Sequence, residues 1–161
     1  MNNYTPCPWS KGIVRMTIFV LSALIVGMAI IGILYVPAEN LDNSDKSQLL
    51  FWLGAIIAVI ALSLAFAPRS VSADDQKIVL HRYLGKVVIL RSEIRSIKRF
   101  DPDMPAIRLF GIGGFLGIVG LCYSSKLSGV FTAYITDPSR SYVIYRRSKR
   151  PIVITSVEPL K

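Results

Sequence analysis

The sequence predicts a two-helix transmembrane hairpin followed by an all-β domain, a small barrel or strongly bent antiparallel sheet. Three observations predict it. Two long uncharged runs fall within the first 67 residues. Beyond Pro68 the apolar residues regroup into short runs broken by turn residues. The net charge of +9 sits at the two ends of the chain, not between the long runs. Composition agrees. Hydrophobic residues make up 52% and charged residues 18%, against roughly 25% charged in an average soluble protein. Mean hydropathy is +0.49. Disorder needs low hydrophobicity and high charge, so that class is excluded.

Residues 1–15 form a short N-terminal segment with Lys11 and Arg15. Residues 16–36 (MTIFVLSALIVGMAIIGILYV) carry no charge. As a helix this run is about 31 Å long, close to the roughly 30 Å hydrocarbon core. A signal-peptide core is typically only about 7–15 residues, so the run is read as a retained span. Residues 49–67 (LLFWLGAIIAVIALSLAFA) form the second uncharged run. Residues 37–48 between them are polar and make a tight external loop. Ala23 with Gly27, and Gly54 with Ala58, are small-residue pairs at helix-packing spacing. Neither span holds an ionisable residue, which argues against a channel or transporter.

Basic flanks stay on the cytoplasmic side. Residues 1–15 carry +2 and the 37–48 loop −2. Residues 69–161 hold 16 basic and 7 acidic groups. Both termini are therefore expected in the cytoplasm, at the cell (inner or plasma) membrane. Cys7 and Cys122 are the two cysteines, so no disulfide framework follows. Cys7 is expected as a free cytosolic thiol.

Residues 68–75 read as a linker and 76–161 as the β domain. Strands are expected at 77–81 (KIVLH), 86–90 (KVVIL), 94–100 (IRSIKRF) and from 107 into the glycine-rich stretch. A hairpin is expected from 130–135 (VFTAYI) through Asp137-Pro138-Ser139 to 142–145. After a turn at 147–150, residues 151–155 (PIVIT) make the last strand. That is seven or eight strands without a helix, and closure hides their edges. Residues 109–123 are uncharged and mimic a third span. They are too short and contain five glycines, each costing about 1 kcal/mol in a helix. Buried strands with glycine bends explain them better. Gly111-Ile112-Gly113 lacks the third glycine of a dinucleotide site and the lysine of a phosphate loop, so no cofactor is expected.

Arg108-Leu109-Phe110-Gly111-Ile112-Gly113-Gly114-Phe115 is followed by Gly117, Gly120, Lys126-Leu127-Ser128-Gly129-Val130-Phe131 and Tyr134-Ile135-Thr136-Asp137. In order and spacing these residues resemble the bacterial PH-like (pleckstrin-homology-like) domains. The resemblance covers residues 76 to about 158. It implies a strongly bent antiparallel sheet, usually closed by a C-terminal helix, and brings no catalytic residues. Arg108, Phe110, Gly111, Gly113, Gly114, Gly117, Gly120 and Gly129 would then be structural. Ser128 departs from the family's usual step. The closing helix is expected to be absent: either the chain is shorter than its relatives, or the hairpin or a neighbouring subunit covers that corner.

Little other chemistry is on offer. His81 lies in a strand and reads as structural. The carboxylates are scattered, and no His, Cys and carboxylate cluster suits a metal. An enzyme is not expected. Positive charge stands out. Arg91, Arg95, Lys98 and Arg99 flank one strand, and Arg146, Arg147, Lys149 and Arg150 crowd one turn. A basic group near an anionic leaflet gains roughly 1 kcal/mol. Arg95, Lys98, Arg99 and the four residues of the turn are therefore the candidate lipid- or partner-binding set. Tyr142 and Tyr145 beside arginines would suit nucleic acid, but membrane tethering and the family resemblance rank it last. The expected function is a membrane-anchored, non-catalytic module that engages anionic phospholipid headgroups, a protein partner, or both. The alternative is a structural or regulatory subunit of a membrane complex, homo-oligomers included.

Overall fold

A computed structural model describes residues 4–35, 43–113, 116–127 and 129–157. The chain opens with strand β1 (Tyr4–Pro6) and helices α1 (Lys11–Tyr35) and α2 (Asn43–Phe66). Then follow β2 (Pro68–Ala73), β3 (Lys77–Arg82), β4 (Lys86–Leu90), β5 (Ile94–Arg99), β6 (Ile107–Ile112), β7 (Ile118–Ser124), β8 (Gly129–Ile135), β9 (Ser141–Arg146) and β10 (Ile152–Thr155).

α1 begins ahead of the expected span because Ser10 caps it, its Oγ accepting from the Ile13 N–H at 3.2 Å. Inside the helices Thr17, Ser22 and Ser63 donate their hydroxyls to the carbonyls of Ile13, Ile18 and Val59. These three hydroxyls are thus satisfied within their own helices. α2 stops at Phe66 because Pro68 has no N–H to continue it. It starts at Asn43, so half of the expected external loop is helix; residues 36–42 lie outside the described residues. Among the described residues one helix, at Lys11–Ile31, is long and apolar enough to cross a bilayer, with a mean hydropathy of 2.3. The apolar part of α2, Leu50–Phe66, is shorter. The two helices make little contact with each other. Among the described residues, nothing beyond the helix's own neighbouring backbone lies within 4 Å of where a Cβ would sit on Gly27 or Gly54, so these positions are open to a partner helix. Large apolar side chains such as Phe19 and Phe51 are exposed.

The β domain differs from a single antiparallel sheet. β1-β2-β3-β4 form one antiparallel sheet and β5-β9-β10-β8-β7-β6 a second, mixed one. The expected hairpin between β8 and β9 is split, because β10 lies between them, parallel to β8 and antiparallel to β9. The cause is apolarity on both faces of the run. All four residues of β10 are buried, which only a central position allows. Most of the expected linker is also strand. β2 pairs with β3 on one side and with β1 on the other. Its sequence, PRSVSA, has a single large apolar residue and therefore no readable alternation. Pro6 sits on the sheet edge, where its missing N–H costs nothing. Residues 158–161, where the closing helix is expected to be absent, lie outside the described residues.

Two cores flank the mixed sheet. Ile144, Ile152 and Ile154 pack with Val71, Ile78, Leu80 and Ile89 of the four-stranded sheet. Val143 and Val153, on the other face, pack with Phe131, Ala133, Ile135 and the loop residues Phe100 and Met104.

At one end of the mixed sheet a buried knot of hydroxyls ties the N-terminal segment down. The Thr155 Oγ1 accepts from the backbone N–H groups of Thr136 and Asp137 at 3.0 and 3.2 Å and pairs with the Ser141 hydroxyl at 2.9 Å. The Thr136 hydroxyl donates to the Pro8 carbonyl at 2.7 Å, and the Ser10 N–H donates to the Thr136 carbonyl at 2.8 Å. Cys7 is a free thiol, as expected, and it lies in the core, 6% exposed, its Sγ–H donating to the Thr155 carbonyl at 3.3 Å.

Burial pushes the Cys7 thiol up from 9.0 to about 12. A thiol reagent at about pH 8 is therefore expected to spare Cys7 in the folded chain and to modify it after denaturation. The folded state holds this proton more tightly than the unfolded one. Its contribution to stability is full below pH 9.0 and lost as pH rises toward about 12. Unfolding midpoints across that window should fall more steeply for the wild type than for Cys7→Ala, and parallel slopes would contradict the burial.

Candidate functional site

The basic residues expected to act together are spread along the mixed sheet. Arg146, half-buried, grips its own turn, its Nε and Nη2 donating to the Arg150 carbonyl at 2.9 and 2.7 Å. Lys149 pairs with Glu93 at 2.8 Å. Arg147 and Arg150 are exposed beside them. β5 pairs with β9, so Ile94 lies opposite Arg146 and Arg99 opposite Tyr142. Arg95 and Lys98 are exposed on β5, with the Lys98 ammonium 6.0 Å from the centre of the Tyr145 ring. Arg99 reaches the other end, donating to the Ser139 carbonyl at 3.1 Å. That end is the one holding Thr136 and the start of α1. β9 runs from Ser141 there to Arg146, and five steps at about 3.3 Å put the basic turn roughly 17 Å away.

The glycine-rich stretch forms β6 and β7, as expected, but β6 is exposed rather than buried. Ile107, Leu109 and Phe110 are 68, 56 and 78% exposed. The Leu116 N–H at the hairpin's tip donates to the Thr17 Oγ1 of α1 at 3.1 Å. Gly111 and Gly120 face each other across the pair, both with positive φ. A Cβ on Gly111 would run into the Val119 carbonyl, and one on Gly120 into the Phe110 carbonyl. The pair therefore leaves bare backbone where the hairpin meets α2. The Arg108 guanidinium lies over Gly113, and its charge pulls the Cys122 thiol down against a larger upward push from burial. Gly117 precedes β7 and Gly129 opens β8. Gly114 lies outside the described residues.

Two cavities meet at the junction of α2 with the sheets. One, of about 500 Å³, is apolar and runs between Val59, Leu62 and Phe66 of α2 and Phe110, Ile112 and Val119 of the hairpin. The other, of about 480 Å³, is polar and is lined by Pro6, Arg69, Ser70 and His81. Arg82 lines both. Its guanidinium carbon lies 5.4 Å from the Phe66 ring centre and 5.9 Å from that of Tyr134. Its Nε is buried without a hydrogen-bond partner. The ion pairs formed among the described residues do not involve it. The last carbonyls of α2 are already taken, Leu64's by the Ala67 N–H and Ala65's by the Leu84 N–H. Sequence reading missed Arg82. The available signal was a stretch, 76–92, with five basic or histidine residues and no carboxylate. A third pocket, of about 330 Å³, is lined by Phe100, Met104 and Cys122 among others.

His81 is engaged by the Ser72 hydroxyl at 3.2 Å. Among the described residues no three His, Cys, Asp or Glu side chains come together. What the geometry offers is non-covalent: aromatic-flanked cations, apolar clefts and a bent pair of sheets. That is the form of a small β binding module. A family model described as Bacterial PH domain matches residues 69–159, more than half of the chain. The chain belongs to this bacterial PH domain family. The match runs from β2 through β10 and leaves β1, α1 and α2 outside it. Neither a curated protein nor a solved structure matches the chain.

The facing glycines yield a contrast. Gly120→Ala should cost about 2 kcal/mol or more, from left-handed strain and a backbone collision. Gly54→Ala, in open space on α2, should leave stability level or slightly raised. Thermal melts of the two variants measure this, and equal effects would contradict the close β6–β7 approach.

Proposed function

We propose that this chain is a membrane-anchored, non-catalytic binding module whose PH-like domain engages anionic lipid headgroups, a protein partner, or both, from the cytoplasmic side. The observation that carries the reading is the pairing of β1 with β2. One strand precedes α1 and the other follows α2, so a chain that crosses on α1 must return on α2. The length and apolarity of α1 support the first crossing. α2 has 24 residues, about 36 Å of helix, enough for the second. The charge balance supports the orientation, with 16 of 19 basic residues beyond residue 68.

Membership of the PH family favours binding over catalysis. The basic turn at Arg146–Arg150 sits at the sheet end remote from α1. That position favours an acidic partner arriving from the aqueous side, with Arg147 and Arg150 exposed to meet it. The open surroundings of Gly27 and Gly54 favour the second reading, a subunit whose helices pack against others in the membrane.

The anchoring is tested in intact cells. A cysteine appended after Lys161 should resist a membrane-impermeant thiol reagent, while one at Asn40 should react. Labelling of both, or of the C-terminal site alone, would overturn the topology. Crosslinking in native membranes then separates the readings, since a stoichiometric complex through the helices supports the subunit.

A further inference from the structure

The geometry points to a binding site for a single anionic phospholipid at the junction of α2 and the two sheets. Its acyl chain lies in the apolar cleft and its phosphate on Arg82 and Arg69. This rests on the membrane-anchored reading and names the ligand of a site outside the basic turn.

Three observations converge. Arg82 is a cation without an ion-pair partner among the described residues, and its buried Nε has no acceptor. The unmet Nε is closed to solvent, so an anion in the cavities would engage the guanidinium through its terminal nitrogens. Arg82 also divides a polar cavity from an apolar one, so an amphiphile matches both sides of it. Arg69, in the polar cavity, adds a second cation, its guanidinium 5.8 Å from the Tyr83 ring centre.

The direction of the cleft selects a lipid over a soluble phosphate. Phe66, beside Arg82, ends α2 at the domain side. Leu62 and Val59 follow the cleft back along the helix, about 10 Å at 1.5 Å per residue. The charged end thus lies at the interface and the apolar end descends along a helix whose Val59 and Leu62 are 64 and 60% exposed. Gly111 and Gly120 form part of the cleft wall. Phe110, 78% exposed at its rim, has no core to pack in and would lie against the chain of the lipid.

The full chain is placed in phosphatidylcholine nanodiscs doped with a phosphatidylglycerol carrying a photoreactive diazirine on its acyl chain. Irradiation should label peptides containing Leu62, Phe66 or Phe110. Arg82→Gln should lower that labelling about tenfold, the loss of a charge-assisted contact, while Arg82→Lys keeps most of it. Phe110→Ala should lower it too without moving the thermal midpoint, because that side chain is exposed. Displacement by excess glycerol 3-phosphate would show a soluble phosphate ligand and overturn the lipid assignment. Equal labelling by a diazirine phosphatidylcholine, or unchanged labelling in Arg82→Gln, would overturn the role of Arg82. An alkaline carbonate wash of native membranes is run in parallel. Chain that stays with the membrane but shows no cleft label overturns this site alone; chain that washes off overturns the anchoring and the site together.

Discussion

A three-residue strand before the first helix lies beside the strand that follows the second, and every larger feature depends on that pairing. It brings the start of α1 and the end of α2 to one module. An edge strand this short is weak by itself. Its strength comes from the residues between it and α1. Cys7, Pro8 and Ser10 each bond to the buried end of the mixed sheet, where Thr136, Ser141 and Thr155 are fully enclosed. Pulling the segment away would strip a hydroxyl and two backbone groups of their partners, at about 1–3 kcal/mol for each buried group left unmet.

Apolar surface is divided by this arrangement into three kinds. The module keeps its own two cores, built around β10. The helices hold most of theirs outward. The β6–β7 hairpin is intermediate, β7 largely buried and β6 exposed like the helices, and it meets α1 through Thr17 and α2 across the apolar cleft. Its glycine-rich composition follows from that position. A run this apolar with side chains throughout would be sticky on a sheet edge, and the facing glycines let β6 and β7 come close to each other. Arg82 stands where the three kinds of surface meet.

Most strands were legible in the sequence. β3, β4, β5, β8 and β9 each show alternation or a dense β-branched run between turn residues, and Asp137-Pro138-Ser139 marks a turn that forms as expected, the Asp137 carboxylate accepting from Ser139. β1 and β2 were not legible, because three and six residues with few apolar side chains carry no pattern. The place of β10 was not legible either. Its apolarity announces burial, but which gap it fills is decided by strands far away in the chain. The same holds for the candidate site. The basic turn stands out because its residues are contiguous. The junction draws on residues of 59–66, on 82, on 110–112 with 119–120, and on 134, which only the fold brings together.

The most direct measurement is a disulfide across the first pairing. Pro6 and Ser70 are register partners, flanked by the Cys7 N–H to Arg69 carbonyl bond at 3.0 Å. That places them at a non-hydrogen-bonded pair, within the Cα spacing a disulfide accepts. In the full chain in native membranes, Pro6→Cys with Ser70→Cys should oxidise within one chain, closing a loop that contains both helices. A protease cut between the helices should then leave the two pieces joined until reduction. Cysteines that stay reduced, or that link only between chains, would contradict the account.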